Sequence, residues 1–116
     1  MDTLSRMYGA PRGVLLLAEL EEGLAGCVAV RPIDGAICEL KRLYVRSAYR
    51  GTGLGRRLME SALRAAREMG YTRIRLDTLP QMQVAQRLYE DLGFRDIPAC
   101  FGGVIAGQRF MEAVLN

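Results

Sequence analysis

Tyr49-Arg50-Gly51-Thr52-Gly53-Leu54-Gly55-Arg56 is the stretch on which the fold turns. Before it the chain has the short alternating runs of strands, and after it apolar residues recur every fourth position, as in a helix. Three alternating glycines let the backbone take positive dihedrals and gather several N–H groups around one point. At a helix N-terminus such a nest favours an anion through its unpaired donors and the helix dipole, with phosphate or pyrophosphate the natural occupant. Arg50 and Arg56 flank it and can add charge-assisted hydrogen bonds. A tight strand-to-helix turn without any ligand would use the same glycines. Two other phosphate loops do not fit. The dinucleotide pattern needs two residues between its second and third glycines and an acidic residue about 20 further on. The nucleoside triphosphate loop needs Gly-Lys-Ser or Gly-Lys-Thr where Gly55-Arg56-Arg57 stands.

Working outward, Leu54, Leu58, Ala62 and Ala66 form an apolar stripe widened by Met59 and Leu63, with Arg56, Arg57, Glu60, Arg64 and Arg67 opposite. The helix is expected to run from Gly53 to Met69 and to stop at Gly70. Upstream, Val14–Leu20 and Leu24–Val30 read as a hairpin about Glu21-Glu22-Gly23. Pro32–Gly35 then turns the chain into a strand over Ala36–Val45, with Ile37, Glu39, Lys41, Leu43 and Val45 on one side if the alternation is unbroken. Downstream, Arg73–Thr78 alternates as a strand, so strand, helix and strand imply a right-handed parallel crossover. A second helix over about Gln83–Leu92 stops at Gly93, and β-prone segments at Phe94–Cys100 and Gln108–Leu115 complete the sheet. Met1–Arg12, with Gly9 and Pro11, shows no sustained period and reads as an irregular lead-in.

Length and composition bound the function. A chain of 116 residues suits one domain over residues 1–116. Val14–Ala18, the longest apolar run, is too short to span a bilayer, and the N-terminus lacks the pattern of a signal peptide, so a cytoplasmic protein is expected. Cys27, Cys38 and Cys100 include no Cys-x-x-Cys pair, which indicates reduced thiols and no metal site. With no histidine, acid–base chemistry falls to Glu, Asp, Lys, Tyr or Cys, and a Ser-His or Cys-His hydrolase is excluded from this chain alone. The net charge of +3 arises from 16 basic and 13 acidic residues, a weak bias that a phosphorylated cofactor explains as well as a nucleic acid.

These segments resemble the GCN5-related N-acetyltransferase (GNAT) superfamily. Its acyl-CoA signature is Arg or Gln, two residues, Gly, one residue, then Gly or Ala, and Arg50-Gly51-Thr52-Gly53-Leu54-Gly55 fits it. Leu40-Lys41-Arg42-Leu43-Tyr44-Val45 is similar to the family's fourth strand, and Ala85-Gln86-Arg87-Leu88-Tyr89-Glu90-Asp91-Leu92-Gly93-Phe94 to its later helix-to-strand motif. Phe110-Met111-Glu112 resembles the closing strand, so the likeness spans about Val14 to Leu115. It implies an α/β (α+β) fold: a mixed, mostly antiparallel sheet with helices on its faces.

The resemblance also implies a chemistry, transfer of an acetyl group from acetyl-CoA to a primary amine by direct attack. The fourth and fifth strands would splay apart, with Leu43, Tyr44 and Val45 lining the cofactor's arm and a backbone N–H there polarising the thioester carbonyl. Arg50, Gly51, Thr52, Gly53, Leu54, Gly55 and Arg56 would hold the pyrophosphate, and Ala85 would leave room beside Tyr89. Tyr89 is the candidate acid on the strength of the resemblance; read alone, such a tyrosine is more often a half-buried aromatic with its hydroxyl in water. Glu39 is the candidate base, with Asp77 in reserve: a carboxylate inside an apolar strand is either a solvated edge residue or faces a polar cleft.

Two departures stand out. Gln81 and Met82 occupy the place where the family commonly carries an asparagine. Only Met1–Arg12 stand before the hairpin, where a typical member has a strand and two helices that wall the acceptor site. Val14–Leu20 would then be a bare apolar sheet edge, and a homodimer is the expected cover. Two other readings stay open: a CoA-binding module without catalysis, and a nucleic-acid binder using Arg56, Arg57, Arg64 and Arg67, less expected because Glu60 and Glu68 interrupt that face.

Overall fold

The computed structural model describes residues 3–9, 13–20, 23–98 and 106–115, with the backbone alone for residues 3–9 and 42. In chain order the elements are β1 (Thr3–Gly9), β2 (Gly13–Leu20), β3 (Gly23–Asp34), β4 (Ile37–Val45), a short 3-10 turn (Ser47–Tyr49), α1 (Leu54–Glu68), β5 (Arg73–Thr78), α2 (Gln83–Asp91), β6 (Arg95–Ile97) and β7 (Arg109–Val114). The strands form one sheet in the order β1-β2-β3-β4-β5-β7-β6, in which β4–β5 is the parallel pair. Cys100 and the later part of the Phe94–Cys100 segment lie outside the described residues.

The lead-in is not irregular. Thr3–Gly9 is a strand that pairs antiparallel along β2, from Thr3 opposite Glu19 to Gly9 opposite Gly13. An apolar strand with a row of unsatisfied N–H and C=O groups gains most from a partner, and the adjoining segment supplies one. The family's first strand is therefore present, and β2 is not the bare edge from which self-association was expected. The three-residue connection between β1 and β2 leaves no room for the two helices.

β3 runs further than Leu24–Val30. Its ladder with β4 continues through Pro32 opposite Cys38, and the turn tightens to Gly35-Ala36, with Gly35 at φ 49°. The alternation along β4 is broken. Cys27 pairs with Tyr44 but Ala29 with Lys41, so β4 carries one extra residue about Arg42-Leu43, a bulge that shifts the facing of the residues beyond it. Beside it Gly26 is required: a Cβ there would lie 2.6 Å from the Tyr44 carbonyl oxygen and 3.0 Å from Leu58 Cδ1.

The core lies on one sheet face, where Leu16, Val28 and Leu76 meet Leu58, Met59 and Ala62 of α1. α1 ends as its sequence predicts, with Gly70 at φ 89° and Tyr71 N–H donating to Ala66 O at 3.1 Å. Both crossovers, through α1 and through α2, step the same way along the sheet, which puts the two helices on one face rather than dividing them between two. The contacts agree: Arg56 of α1 and Asp91 of α2 form an ion pair at 3.3 Å.

On the opposite face, Arg31, Glu39, Arg75 and Glu112 stand directly opposite one another across β3, β4, β5 and β7, alternating in sign. Arg31 pairs with Glu39, and Arg75 Nε lies 2.8 Å from Glu112 Oε2. Burial alone would raise the Glu112 carboxyl, but hydrogen bonds from Arg75 and Arg73 outweigh it and hold the group below its ordinary value.

Candidate functional site

The β4–β5 ladder has three pairs only: Ile37 with Arg73, Cys38 with Ile74, and Glu39 with Arg75. Beyond them, Leu40–Val45 and Leu76–Thr78 run on without a ladder between them. Each strand stays fastened on its other side, β4 to β3 as far as Val45 and β5 to β7 as far as Thr78 opposite Arg109. The seam therefore opens into a gap edged by backbone groups with no strand partner, which need a partner from elsewhere. Leu43 and Val45 are half-buried against the core, while Tyr44 is 50% exposed.

The gap runs up to the glycine turn. Gly51 and Gly53 take φ 80° and 85°, the left-handed region that favours glycine, and Gly53 caps α1. Gly55 is already helical; a Cβ on it would make ordinary 3.8 Å contacts with Leu88 Cδ2 and Val45 Cγ2. The bond from Arg57 N–H to Gly53 O, at 3.1 Å, opens the helical ladder, so the N–H groups of Leu54, Gly55 and Arg56 project from its end. No acidic residue stands in this first turn. Arg50 braces the turn by donating from Nε to Val45 O at 3.1 Å, and Thr52 Oγ1 donates to Tyr49 O. Leu54, 5% exposed, anchors the helix start in the core.

α2 forms the far wall. A groove between it and the start of α1 is lined by Arg56, Gln83, Val84, Arg87, Leu88 and Asp91. Val84 is 88% exposed at this groove, whereas Leu88 and Leu92, four and eight residues on, are half-buried against the core. Ala85 packs partly buried, one turn from Tyr89. Tyr89 is 3% exposed, its ring 5.9 Å from that of Phe94, so its hydroxyl is not simply in water. Burial, helped by the negative charge of Asp77, pushes its phenol up to about 12, which keeps it protonated at neutral pH.

Glu39, 4% exposed on an internal strand, is not a solvated edge residue. It pairs with Arg31 and lies 3.8 Å from Lys41 Nζ, which in turn holds Asp77 Oδ1 at 3.2 Å. Gln108 Nε2 donates to the other Asp77 oxygen at 2.9 Å. Glu39 thus sits where the seam is closed, and Asp77 two residues beyond the last ladder pair, where it is open.

Three contributors escape a sequence reading. Gly26 carries no local signal, since its need arises from Tyr44 and Leu58. Gln86 fastens the loop after β5, donating to Leu79 O at 2.7 Å and accepting from Arg109 at 3.1 Å. That tie stands where Gln81 and Met82 leave the helix start without a side-chain cap. Thr78, 1% exposed, has an Oγ1 without a hydrogen-bond partner among the described residues. Its place in an alternating strand shows that it is buried but not that it is unpaired.

The family model of the acetyltransferase (GNAT) family matches residues 1–94. An uncharacterized N-acetyltransferase of Schizosaccharomyces pombe is 46% identical over 113 residues, covering 96% of this chain and 69% of that protein. The uncharacterized N-acetyltransferase YjgM of Escherichia coli is 36% identical over 105 residues, covering 88% of this chain. The chain spans 63% of that protein's length. Among solved structures, a GNAT family acetyltransferase of Elizabethkingia anophelis with acetyl-CoA bound superposes with a TM-score of 0.81 over 98% of both chains. At 18% identity, that likeness speaks for the fold alone. A seam that opens at a glycine-capped helix, in a chain that matches relatives of this kind across nearly its whole length, leaves one conclusion: the chain belongs to the GNAT acetyltransferase family.

Proposed function

We propose that the chain is an acyl-CoA-dependent N-acetyltransferase that moves an acetyl group from acetyl-CoA to a primary amine by direct attack. The observation that carries this is the run of the open β4–β5 seam into the glycine turn at the start of α1. The residues present fit the cofactor: a helix whose own first turn carries no acidic residue suits a pyrophosphate, and a strand edge that lacks a strand partner suits an amide-bearing arm.

Acetyl-CoA supplies an acyl group activated as a thioester; what remains for the chain is binding, alignment and proton transfer. Gly51–Arg56 hold the pyrophosphate, with Arg50 and Arg56 adding positive charge. The edge of Leu43–Val45 binds the arm, and Ala85 leaves space beside it. Tyr89 Oη keeps a proton for the departing thiolate, a role its retained protonation supports. Asp77 and Glu39 share Lys41, and of the two Asp77 is the more exposed, with 26% of its side chain accessible against 5%. Asp77 accordingly takes the amine proton through water, with Glu39 positioning it through Lys41. Comparing the pH–rate profiles of Asp77→Asn and Glu39→Gln tests this: loss of the acidic limb in the Glu39 variant alone would reverse the assignment.

A second reading, a CoA-binding module without catalysis, is favoured by the three-residue link between β1 and β2, which leaves that side of the acceptor site without its helical wall. A homodimer, which would supply a wall from the partner, and a cytoplasmic location, in keeping with Cys27 and Cys38 as thiols rather than a disulfide, complete the proposal. A monomeric mass by light scattering would remove the dimer. The decisive test of the site is calorimetric titration with acetyl-CoA, CoA and ATP. Binding of both CoA species but not ATP is expected, and no binding by any would overturn the reading.

A further inference from the structure

Among the described residues, Thr78 Oγ1 is the buried side-chain oxygen or nitrogen left without a hydrogen-bond partner. Burying a hydroxyl unpaired lowers stability, and valine would fill the same shape without that cost. Thr78 ends β5. One neighbouring strand places it opposite Arg109, whose guanidinium reaches Gln86 and Glu90 of α2, so Thr78 lies on the sheet face that α2 covers. Its other flank faces β4 three residues past the last ladder pair, within the open seam. The next residue, Leu79, has its carbonyl held by Gln86, which fixes the end of the strand.

We infer that the Thr78 hydroxyl is a binding group for the arm of an acyl-CoA, forming a hydrogen bond with an amide of the pantetheine or with the thioester carbonyl. The inference rests on the acyl-CoA reading of the seam. An amide-bearing chain laid along an unpaired strand edge brings such groups past each residue of the gap, and a hydroxyl can donate to a carbonyl or accept from an N–H. The orphan oxygen is then satisfied when the ligand is bound, and its cost falls on the ligand-free protein.

Calorimetry with acetyl-CoA and with CoA, on the wild type and on Thr78→Val and Thr78→Ser, tests this beside thermal unfolding of each ligand-free protein. The valine variant should bind about tenfold more weakly, while its ligand-free melting temperature rises by roughly 4 °C. The serine variant, which keeps the hydroxyl, should bind as the wild type does. Equal weakening toward both ligands assigns the bond to a pantetheine amide, and weakening confined to acetyl-CoA assigns it to the thioester carbonyl. Undiminished affinity in the valine variant, beside firm wild-type binding, removes Thr78 alone. So does a serine variant as weak as valine, or a valine variant that melts below the wild type. A wild type that binds neither ligand takes the acyl-CoA reading down with it.

Discussion

At one end of the β4–β5 seam, Ile37–Glu39 and Arg73–Arg75 are zipped by a parallel ladder and crossed by a row of paired charges. At the other end, Leu40–Val45 and Leu76–Thr78 belong to the same two strands and make no ladder at all. The difference teaches how a sheet can be opened without being lost. Each strand keeps its outer neighbour through the whole gap, and the closed end holds the two halves together. The open end is left with backbone groups that a ligand can pair and, above it, a helix N-terminus that can hold charge.

Substitutions at the open end should alter binding and turnover, and those at the closed end stability. The largest effect is expected for Gly53→Val, which forces a β-branched residue to φ 85°. Acetyl-CoA affinity should fall by roughly a hundredfold or more in calorimetry, and retained affinity would show the turn to be structural only. Tyr89→Phe should lower kcat by about ten- to a hundredfold while the acetyl-CoA Kd stays put. Unchanged turnover would strike Tyr89 from the mechanism.

Glu39→Gln, at the closed end, leaves Arg31 and Lys41 without their shared anion and should cost about 1–2 kcal/mol in urea unfolding. Acetyl-CoA affinity should change less than stability, and the reverse pattern would mean the two ends are not separable. A smaller effect lies in the alkaline range. The folded Tyr89 phenol titrates near 12, above its ordinary 10. Its contribution is fully present below pH 10 and is lost as pH rises toward 12, because the unfolded chain releases that proton first. Tyr89→Phe should flatten this part of the stability profile relative to the wild type; identical slopes would place the phenol in water. Least of all, Val84→Ser should leave the unfolding free energy from urea titration unchanged within about 0.5 kcal/mol, since the side chain stands in the open groove.

The legible part of the fold and site divides from the rest on simple physical grounds. Periodic burial against one neighbour can be read locally: Ile74, Leu76 and Thr78 alternate and set β5 at the expected residues, and α1 and its Gly70 stop fall where the four-residue stripe places them. The glycine turn is legible because its backbone conformation restricts the residue type. Whatever depends on a distant partner is not. β1 exists because β2 offers a ladder to it, the bulge in β4 is visible only against β3, and the exposure of Val84 follows from the groove between α2 and the start of α1. Likewise, nothing within β4 itself reveals that Glu39 would be buried between cations from β3 and its own strand.

The alternating charges on the sheet face opposite α1 and α2 also bear on how the chain finds its alignment. A two-residue slip of β4 against β5 keeps every side chain on its proper face, so burial alone does not forbid it. In one direction the slip sets Glu39 against Asp77, and in the other it sets Lys41 against Arg75. Either error brings like charges together directly across the strands. With only three pairs to lock the parallel seam, the polarity of four side chains acts as a proofreading key for the position from which the gap opens.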